Sequence, residues 1–302
     1  MNRLRSTLET SMSAIDPQDS AVEEVCYRHP DRATGVSCQR CDRLICPKCM
    51  HQASVGVHCP ECTRGSTQKV YTANTLPGSQ AFVTKALIAI NVFVFVAAIP
   101  LFDATLWSDG DLALEIAVNG EGIDRLSQPW RIITGGFGHF GLLHLGMNMY
   151  GLWWLGQLLE RRLGPKLFLV AYMVSLIGGS FGALLLEPRA LTMGASGAIF
   201  GLLGLTALTL RSRGIGLKQS GLGRLLILNL FISLSGFVSL GGHAGGFIAG
   251  LALGAVYFGI NPGDGPMLGG SANKHMAVSV ALGAALFAAS LWAATTWISP
   301  LF

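Results

Sequence analysis

Four polar side chains stand within otherwise apolar stretches of the chain, where a polar group is costly and commonly functional. They are His144, Asn148, Ser196 and His243. A serine hydroxyl becomes a good nucleophile when a neighbouring base takes its proton, and an imidazole does this well near neutral pH. We therefore predict that Ser196 and His243 form a catalytic dyad. The apolar segments that hold them contain no Asp or Glu, so no acidic third member is expected.

The other two polar side chains are suited to stabilising negative charge. Attack on a peptide carbonyl creates an oxyanion, which preorganised hydrogen-bond donors stabilise. The backbone N–H of Ser196, the Asn148 amide and a ring N–H of His144 can supply such donors. His144 and Asn148 are four residues apart, so they share one face of a helix. We predict that they line the oxyanion side of the site.

A second group of reactive side chains lies near the N-terminus, where all seven cysteines of the chain occur. An odd number leaves one thiol over in a disulfide framework, and clustered Cys-x-x-Cys pairs indicate a metal site in a reducing compartment. With one histidine they provide enough ligands for two tetrahedral sites, and thiolate-rich tetrahedral sites favour zinc. The expected zinc ligands are Cys26, His29, Cys38, Cys41, Cys46, Cys49, Cys59 and Cys62.

The two expected zinc ions are structural, and no metal is expected in catalysis. Protein ligands fill every position, and the chain contains no HExxH motif. So short a segment buries little core and needs its metal to fold. His51 and His58 are surplus ligand candidates that we expect at the surface.

These groups must be positioned by a membrane protein. The chain is 51% hydrophobic and only 13% charged, against about a quarter charged in soluble domains. A disordered stretch is expected over 1–25, a zinc-binding domain over 26–62, a linker over 63–80 and an all-α, polytopic membrane domain over 81–300. Its seven apolar segments, each near the ~20 residues of a spanning helix, are placed at about 82–102, 141–159, 167–186, 191–210, 224–240, 242–260 and 276–298.

The loops predict the orientation of these segments, because basic residues accumulate on the cytoplasmic side. The second, fourth and sixth connections are basic, so the N-terminus is expected inside and the C-terminus outside. Ser196 then lies five residues into the fourth segment, roughly 7–8 Å deep, at a depth similar to His144 and His243. Glycines four apart, at 197 and 201 and from 242 to 254, predict that the fourth and sixth segments pack closely.

Several short motifs also carry a resemblance. GASG (194–197), GHAGG (242–246), HFGLLHLGMN (139–148) and PWR (129–131) together resemble the rhomboid family of intramembrane serine proteases, over about 82–298. The resemblance implies a six-helix bundle, here with a seventh C-terminal helix. It implies that Ser196 and His243 are catalytic and that His144 and Asn148 lie on the oxyanion side.

The resemblance further implies that Phe200 takes the place of an aromatic residue, usually Tyr, that packs against the catalytic histidine. Gly194 matches a glycine that leaves room at the serine. The implied partners are transmembrane protein substrates, cleaved near the outer ends of their helices within the lipid bilayer, and the expected location is a bacterial plasma membrane.

The cysteine spacing resembles B-box-like, cross-braced zinc fingers. That resemblance implies that the pair 26/29 shares one ion with 46/49, and that 38/41 shares the other with 59/62. A protein partner of this domain is possible. Nucleic acid is not an expected partner, because the net charge of +4 is modest and no dense basic run occurs.

Two other functions remain open from the sequence. A catalytically silent rhomboid-fold protein that binds membrane clients is the first, and the retained Ser196 and His243 argue against it. A small-solute transporter or channel is the second. It needs ionisable groups along a path through the membrane, whereas the inner half of the segments is expected to be apolar apart from hydroxyl groups.

Overall fold

The computed structural model describes residues 24–53, 55–64, 81–106, 109–224, 227, 238–261, 263, 265–266 and 271–296. They fall into two compact units, one N-terminal and one that begins after the expected linker. The expected disordered N-terminus and linker lie almost entirely outside the described residues. The expected segment at 224–240 also lies largely outside them.

The N-terminal unit consists of two short hairpins and one short helix. Strand β1 (Val25–Cys26) pairs antiparallel with β2 (His29–Ala33), and β3 (His51–Gln52) pairs antiparallel with β4 (Val57–His58). Helix α1 (Pro60–Arg64) closes the unit. The buried residues of the described part of this unit are five cysteines, Ile45 and Pro60. Thiol groups therefore occupy the place of an aliphatic core.

The second unit is a helical bundle. Its long helices are α2 (Phe82–Leu101), α6 (Gly141–Leu163), α7 (Pro165–Leu186), α8 (Ser196–Arg211), α9 (Leu240–Phe258) and α10 (Ala272–Thr296). By length and composition α2, α7, α9 and α10 can each cross a membrane, and α8 is a shorter apolar helix. The chain is therefore an integral, multi-pass membrane protein. The expected helical class is confirmed.

Helix α8 starts later than the sequence predicted. The fourth apolar segment was expected from about 191, but the helix begins at Ser196. The preceding residues form other backbone bonds: the N–H and C=O of Thr192 pair with Val118 at 3.0 and 2.8 Å, and the Gly194 N–H donates to the Gly135 carbonyl at 2.8 Å. Ser196 therefore lies at the start of its helix, and the expected position five residues in is wrong.

Short helices fill the connection between α2 and α6. They are α3 (Leu112–Ile116), α4 (Gly120–Asp124) and α5 (Arg131–Thr134), with a 3-10 turn at Gly135–Phe137. The Arg131 side chain is only 2% exposed and donates to Gln128 Oε1 at 2.5 Å and to the carbonyls of Ala117 and Leu114 at 3.1 and 2.5 Å. The buried guanidinium thus holds the backbone next to Val118, the residue that pairs with Thr192.

Helix α9 packs against α8 through glycine backbones. Gly246 lies against the carbonyl of Gly197, and Gly250 lies against the carbonyl of Gly201, so that a Cβ atom at either position would overlap the carbonyl oxygen. Such close approach of two backbones is available only without side chains. The predicted close packing of these two helices is present in the structure.

The opposite face of α9 packs against α7 in the same way. Gly241 and Gly245 lie against the carbonyls of Gly182 and Gly178. This second glycine contact was not predicted from the sequence. Helix α9 is therefore wedged between two neighbours, with backbone against backbone on both sides.

The last turns of α6 contain a buried carboxylate. Glu160 is 2% exposed and accepts hydrogen bonds from the backbone N–H groups of Val83 and Thr84 at 2.8 Å each, and from the Thr84 hydroxyl at 2.7 Å. It thereby caps the start of α2. Glu160 lies one residue beyond the apolar segment expected at 141–159, and its role as a cap was not predicted.

Candidate active site and candidate metal centre

Ser196 is the first residue of α8, and this position gives it two chemical properties. The first N–H groups of a helix have no partner within that helix, and the helix dipole places partial positive charge there. The backbone N–H of Ser196 belongs to this set, while the half-buried side chain lies beside it. Negative charge that develops next to the hydroxyl is therefore stabilised by the helix itself.

His243 is the fourth residue of α9 and only 6% exposed. Its ring stacks on Phe200, with centroids 3.9 Å apart and planes inclined by 13°. Phe200 lies one turn after Ser196 on α8. Gly242, the residue before His243, also lies close to α8. Its carbonyl oxygen is 3.4 Å from where a Cβ of Gly197 would lie. The imidazole is thus held on the Ser196 face of α8.

Phe200 packs its ring against that of His243. It contributes the flat ring without a phenolic hydroxyl, so the contact with His243 is made by stacking alone. The stacked ring restricts the orientation of the imidazole while leaving its nitrogens to other partners.

His144 has a defined tautomer. The backbone N–H of Phe140 donates to its Nδ1 at 3.2 Å, so a neutral ring carries its proton on Nε2. A Cβ at Gly194 would lie 2.9 Å from this Nε2 and 3.8 Å from the Ser196 hydroxyl oxygen. The Nε2–H donor and the hydroxyl therefore face the same small space.

Gly194 is required there for two reasons. Its φ of +135° is a conformation that residues with side chains rarely adopt, and a side chain would strike the His144 ring. The residue leaves space open next to Ser196.

Asn148 is 6% exposed and lies one turn after His144 on α6. Its side-chain amide donates to the His144 carbonyl at 2.9 Å. The amide group carries two hydrogens, so this bond fixes its orientation and uses one donor. His139, fully buried, accepts from the Ala195 N–H at 3.5 Å, and its ring lies 5.0 Å from that of His144. It fixes the residue before Ser196.

A cavity of about 30 Å³ borders this group. Ser196, Thr192, Ser180 and Ser239 contribute to its wall, together with glycines of α7, α8 and α9. It has room for about two water molecules and polar groups to bind them.

The structure also reveals a carboxylate that the sequence analysis missed. Glu187, at the end of α7, accepts from the Ser239 hydroxyl at 2.5 Å and from the backbone N–H of Leu240 at 3.1 Å. It thus binds the start of α9, one turn before His243. A serine just before an apolar glycine-rich helix is a recognisable N-cap, but its pairing with a residue more than 50 positions earlier leaves no local signal.

In the N-terminal unit, the eight expected ligands form two sets of four whose ligand atoms lie within 4.8 Å of one another. The sets are Cys26, His29, Cys46 and Cys49, and Cys38, Cys41, Cys59 and Cys62. They are the sets implied by the B-box-like spacing. His51 and His58 lie opposite each other on β3 and β4, outside both sets.

The distances within the sets match a tetrahedral ion. The His29 Nδ1 lies 3.7, 3.4 and 3.3 Å from the sulfurs of Cys26, Cys46 and Cys49. A zinc tetrahedron with its usual bond lengths has sulfur–nitrogen edges of about 3.6 Å. In the other set the sulfurs of Cys41 and Cys59 are 3.7 Å apart. Both sets can therefore hold a metal ion.

The thiols of these sets oppose one another's ionisation. Burial raises the pKa of Cys26, but hydrogen bonds from the Cys46 and Arg28 backbone outweigh it and lower that pKa to about 6. Burial and the nearby Cys26 thiolate together raise the pKa of Cys49 to about 11. A divalent cation removes this opposition by binding all the thiolates at once.

Comparison with known proteins finds rhomboids. A family model described as the rhomboid domain matches residues 126–260. The chain is 36% identical to Rhomboid-like protease 3 of Toxoplasma gondii over 137 residues, which are 43% of this chain and 52% of that protein. It is 36% identical to Rhomboid protease GluP of Bacillus subtilis over 133 residues, which are 41% of this chain and 26% of that protein.

The rhomboid YdcA of Bacillus subtilis is matched over most of its length. The identity is 34% over 163 residues, which are 50% of this chain and 77% of that protein. The two relatives described before it are matched over about half of their length or less. All three alignments support the same family.

Proposed function

Because the chain belongs to the rhomboid family, we propose that it is a serine endopeptidase that cleaves transmembrane segments of other membrane proteins. Ser196 is the nucleophile and His243 the general base. The observation that carries this proposal is the placement of Ser196 at the start of α8 with the His243 ring stacked on Phe200, one turn further along.

The reaction follows from these positions. His243 takes the hydroxyl proton of Ser196 as the oxygen attacks the scissile carbonyl carbon. The resulting oxyanion accepts hydrogen bonds from the Ser196 N–H, the Nε2–H of His144 and the second N–H of Asn148. The protonated His243 then gives its proton to the leaving amine. Water attacks the acyl-serine ester, with His243 as base again, and releases the second product.

The substrates are transmembrane helices. A peptide bond inside a helix is shielded by its own backbone hydrogen bonds, so the substrate must unwind near its end before a carbonyl reaches Ser196. A small residue before the scissile bond fits the limited space that Gly194 keeps open beside Ser196. The lipid bilayer surrounds the site, and the N-terminus is cytoplasmic in the expected plasma membrane, since Arg161, Arg162 and Arg211 lie at the ends of α6 and α8.

The N-terminal unit binds two structural zinc ions, one in each set of four ligands. Eight protein ligands close both sites, so neither ion offers an open position for catalysis.

A fluorophosphonate probe tests the proposal on the full chain in liposomes. Wild type is expected to be labelled and to cleave a transmembrane reporter. Ser196→Ala is expected to lose both, with cleavage reduced by more than about 10³-fold. Ser212→Ala is the matched control, since it removes a hydroxyl at the opposite end of α8 and should behave as wild type.

The silent alternative predicts the opposite result. A wild-type chain that binds reporter helices but is neither labelled nor cleaves them would be a client-binding rhomboid, and the protease proposal would be withdrawn. Solute flux through the liposomes that survives Ser196→Ala would instead favour a transporter.

A further inference from the structure

The start of α9 is held by a carboxylate from another helix. Glu187 Oε2 accepts from the Ser239 hydroxyl at 2.5 Å, and Oε1 accepts from the backbone N–H groups of Leu240 and Gly241 at 3.1 and 3.5 Å. The Ser239 oxygen in turn accepts from the Gly242 N–H at 2.9 Å. These bonds satisfy the first three N–H groups of the helix, which have no partner within it.

This network reaches the catalytic histidine through the backbone. The His243 N–H donates to the Ser239 carbonyl at 3.1 Å, so both ends of Ser239 are engaged in the turn that carries the imidazole. Ser239 and Gly242 also line the cavity beside Ser196. A shift of this turn therefore moves the ring of His243 relative to the Ser196 hydroxyl.

The glycine wedge does not satisfy the polar groups of this turn. Gly241 and Gly245 contact α7, and Gly246 contacts α8, but these contacts provide no acceptor for the unpaired N–H groups at the start of the helix. The carboxylate supplies what is missing there, since an anion at a helix N-terminus is attracted by both the N–H groups and the dipole.

We propose that Glu187 is a positioning residue for catalysis, which holds the first turn of α9 so that His243 meets Ser196 in reacting geometry. It acts through Ser239 and the backbone, and it does not contact the reacting atoms. This inference rests on the proposed protease function. It adds to the dyad a carboxylate that acts indirectly, through Ser239 and the backbone of α9. In a triad, by contrast, the acid bonds the histidine directly.

The test is steady-state cleavage of a transmembrane reporter by the full chain in liposomes. Glu187→Ala is expected to lower kcat about tenfold or more, because small misplacements of a catalytic group cost that much, while KM changes less than about twofold. Glu187→Gln keeps an oxygen acceptor for the Leu240 N–H and is expected to recover most of the lost kcat.

Glu121→Gln is the matched control. Its carboxylate is exposed in α4 and pairs only with Arg125 among the described contacts, so kcat should stay at the wild-type value. If Glu187→Ala is too unstable to purify, Ser239→Ala removes the hydroxyl shared by the carboxylate and Gly242, and it carries the same expectation for kcat and KM.

Three results would overturn the inference: an unchanged kcat in Glu187→Ala, a rise in KM alone, or a loss in Glu187→Gln as large as in Glu187→Ala. Each of these presupposes an active wild type. A wild type without probe labelling or cleavage would instead remove the protease function on which the inference rests, so the two failures are distinguishable.

Discussion

The buried residues in the described part of the N-terminal unit are five cysteines, one isoleucine and one proline, whereas the membrane unit buries Leu, Phe and Tyr side chains between helices that meet at glycines. The first unit is too small to gain enough from apolar burial. The second lies in lipid, where burial of apolar surface between helices gains little and close packing must supply the attraction. The first unit therefore needs another source of stability, which its two ligand sets can supply by holding a metal ion, and the second unit depends on the fit of backbone surfaces.

Removal of metal should produce the largest difference in behaviour between the two units. Chelation is expected to unfold the N-terminal unit completely, because each ion contributes on the order of 10 kcal/mol to folding. Cleavage by the membrane unit should persist. Circular dichroism and zinc release, measured beside reporter cleavage, check both statements.

The control for chelation is His51→Ala, which should leave the metal content at two ions per chain, since His51 lies outside both ligand sets. A chain lacking the N-terminal unit that loses activity on chelation would show a metal in the active site, contrary to the proposed mechanism.

The next effect concerns chemistry within the membrane unit. Asn148→Ala should lower kcat about 10²-fold, the usual cost of one oxyanion donor, while Ser196 remains reactive toward a fluorophosphonate. The N-terminal unit should keep its zinc and its fold. Undiminished cleavage would show that the Asn148 amide serves only its bond to the His144 carbonyl.

The smallest effect measures the glycine packing directly. Gly250→Ala should destabilise the membrane unit by about 1–3 kcal/mol, because its methyl group meets the Gly201 carbonyl. Thermal unfolding in detergent is the measurement. Gly146→Ala in α6 is matched to it, since nothing lies within 4 Å of the added methyl group, and it should be neutral or stabilising by up to about 1 kcal/mol. Equal effects of the two would refute the backbone packing.

Features with a local or periodic signal were predictable from the sequence. Cysteine and histidine spacing predicted the eight ligands, and its resemblance to B-box-like fingers implied their division into two sets. Glycines four apart predicted that α8 and α9 pack closely. Long apolar runs predicted α2, α7, α9 and α10 to within about four residues at most ends. Each of these patterns involves residues that are close together in the sequence.

Features that depend on distant partners were not predictable. Nothing near Ser196 indicates that Thr192 pairs with Val118 and so delays the start of α8. Glu160 and Glu187 look like loop residues at the ends of apolar runs, yet each caps another helix. Both were missed for the same reason: an acceptor for N–H groups more than 50 residues away leaves no mark on its own neighbourhood.

Helix α9 touches α7 and α8 with bare peptide groups on two sides. At these glycine positions the joint has no side chains that could change rotamer to take up a sliding motion, so it behaves as a rigid frame. Any opening that admits a polypeptide must be carried by elements outside this trio. The frame that bears Ser196 and His243 thus stays assembled, and the motions that admit a substrate take place in other elements of the membrane unit.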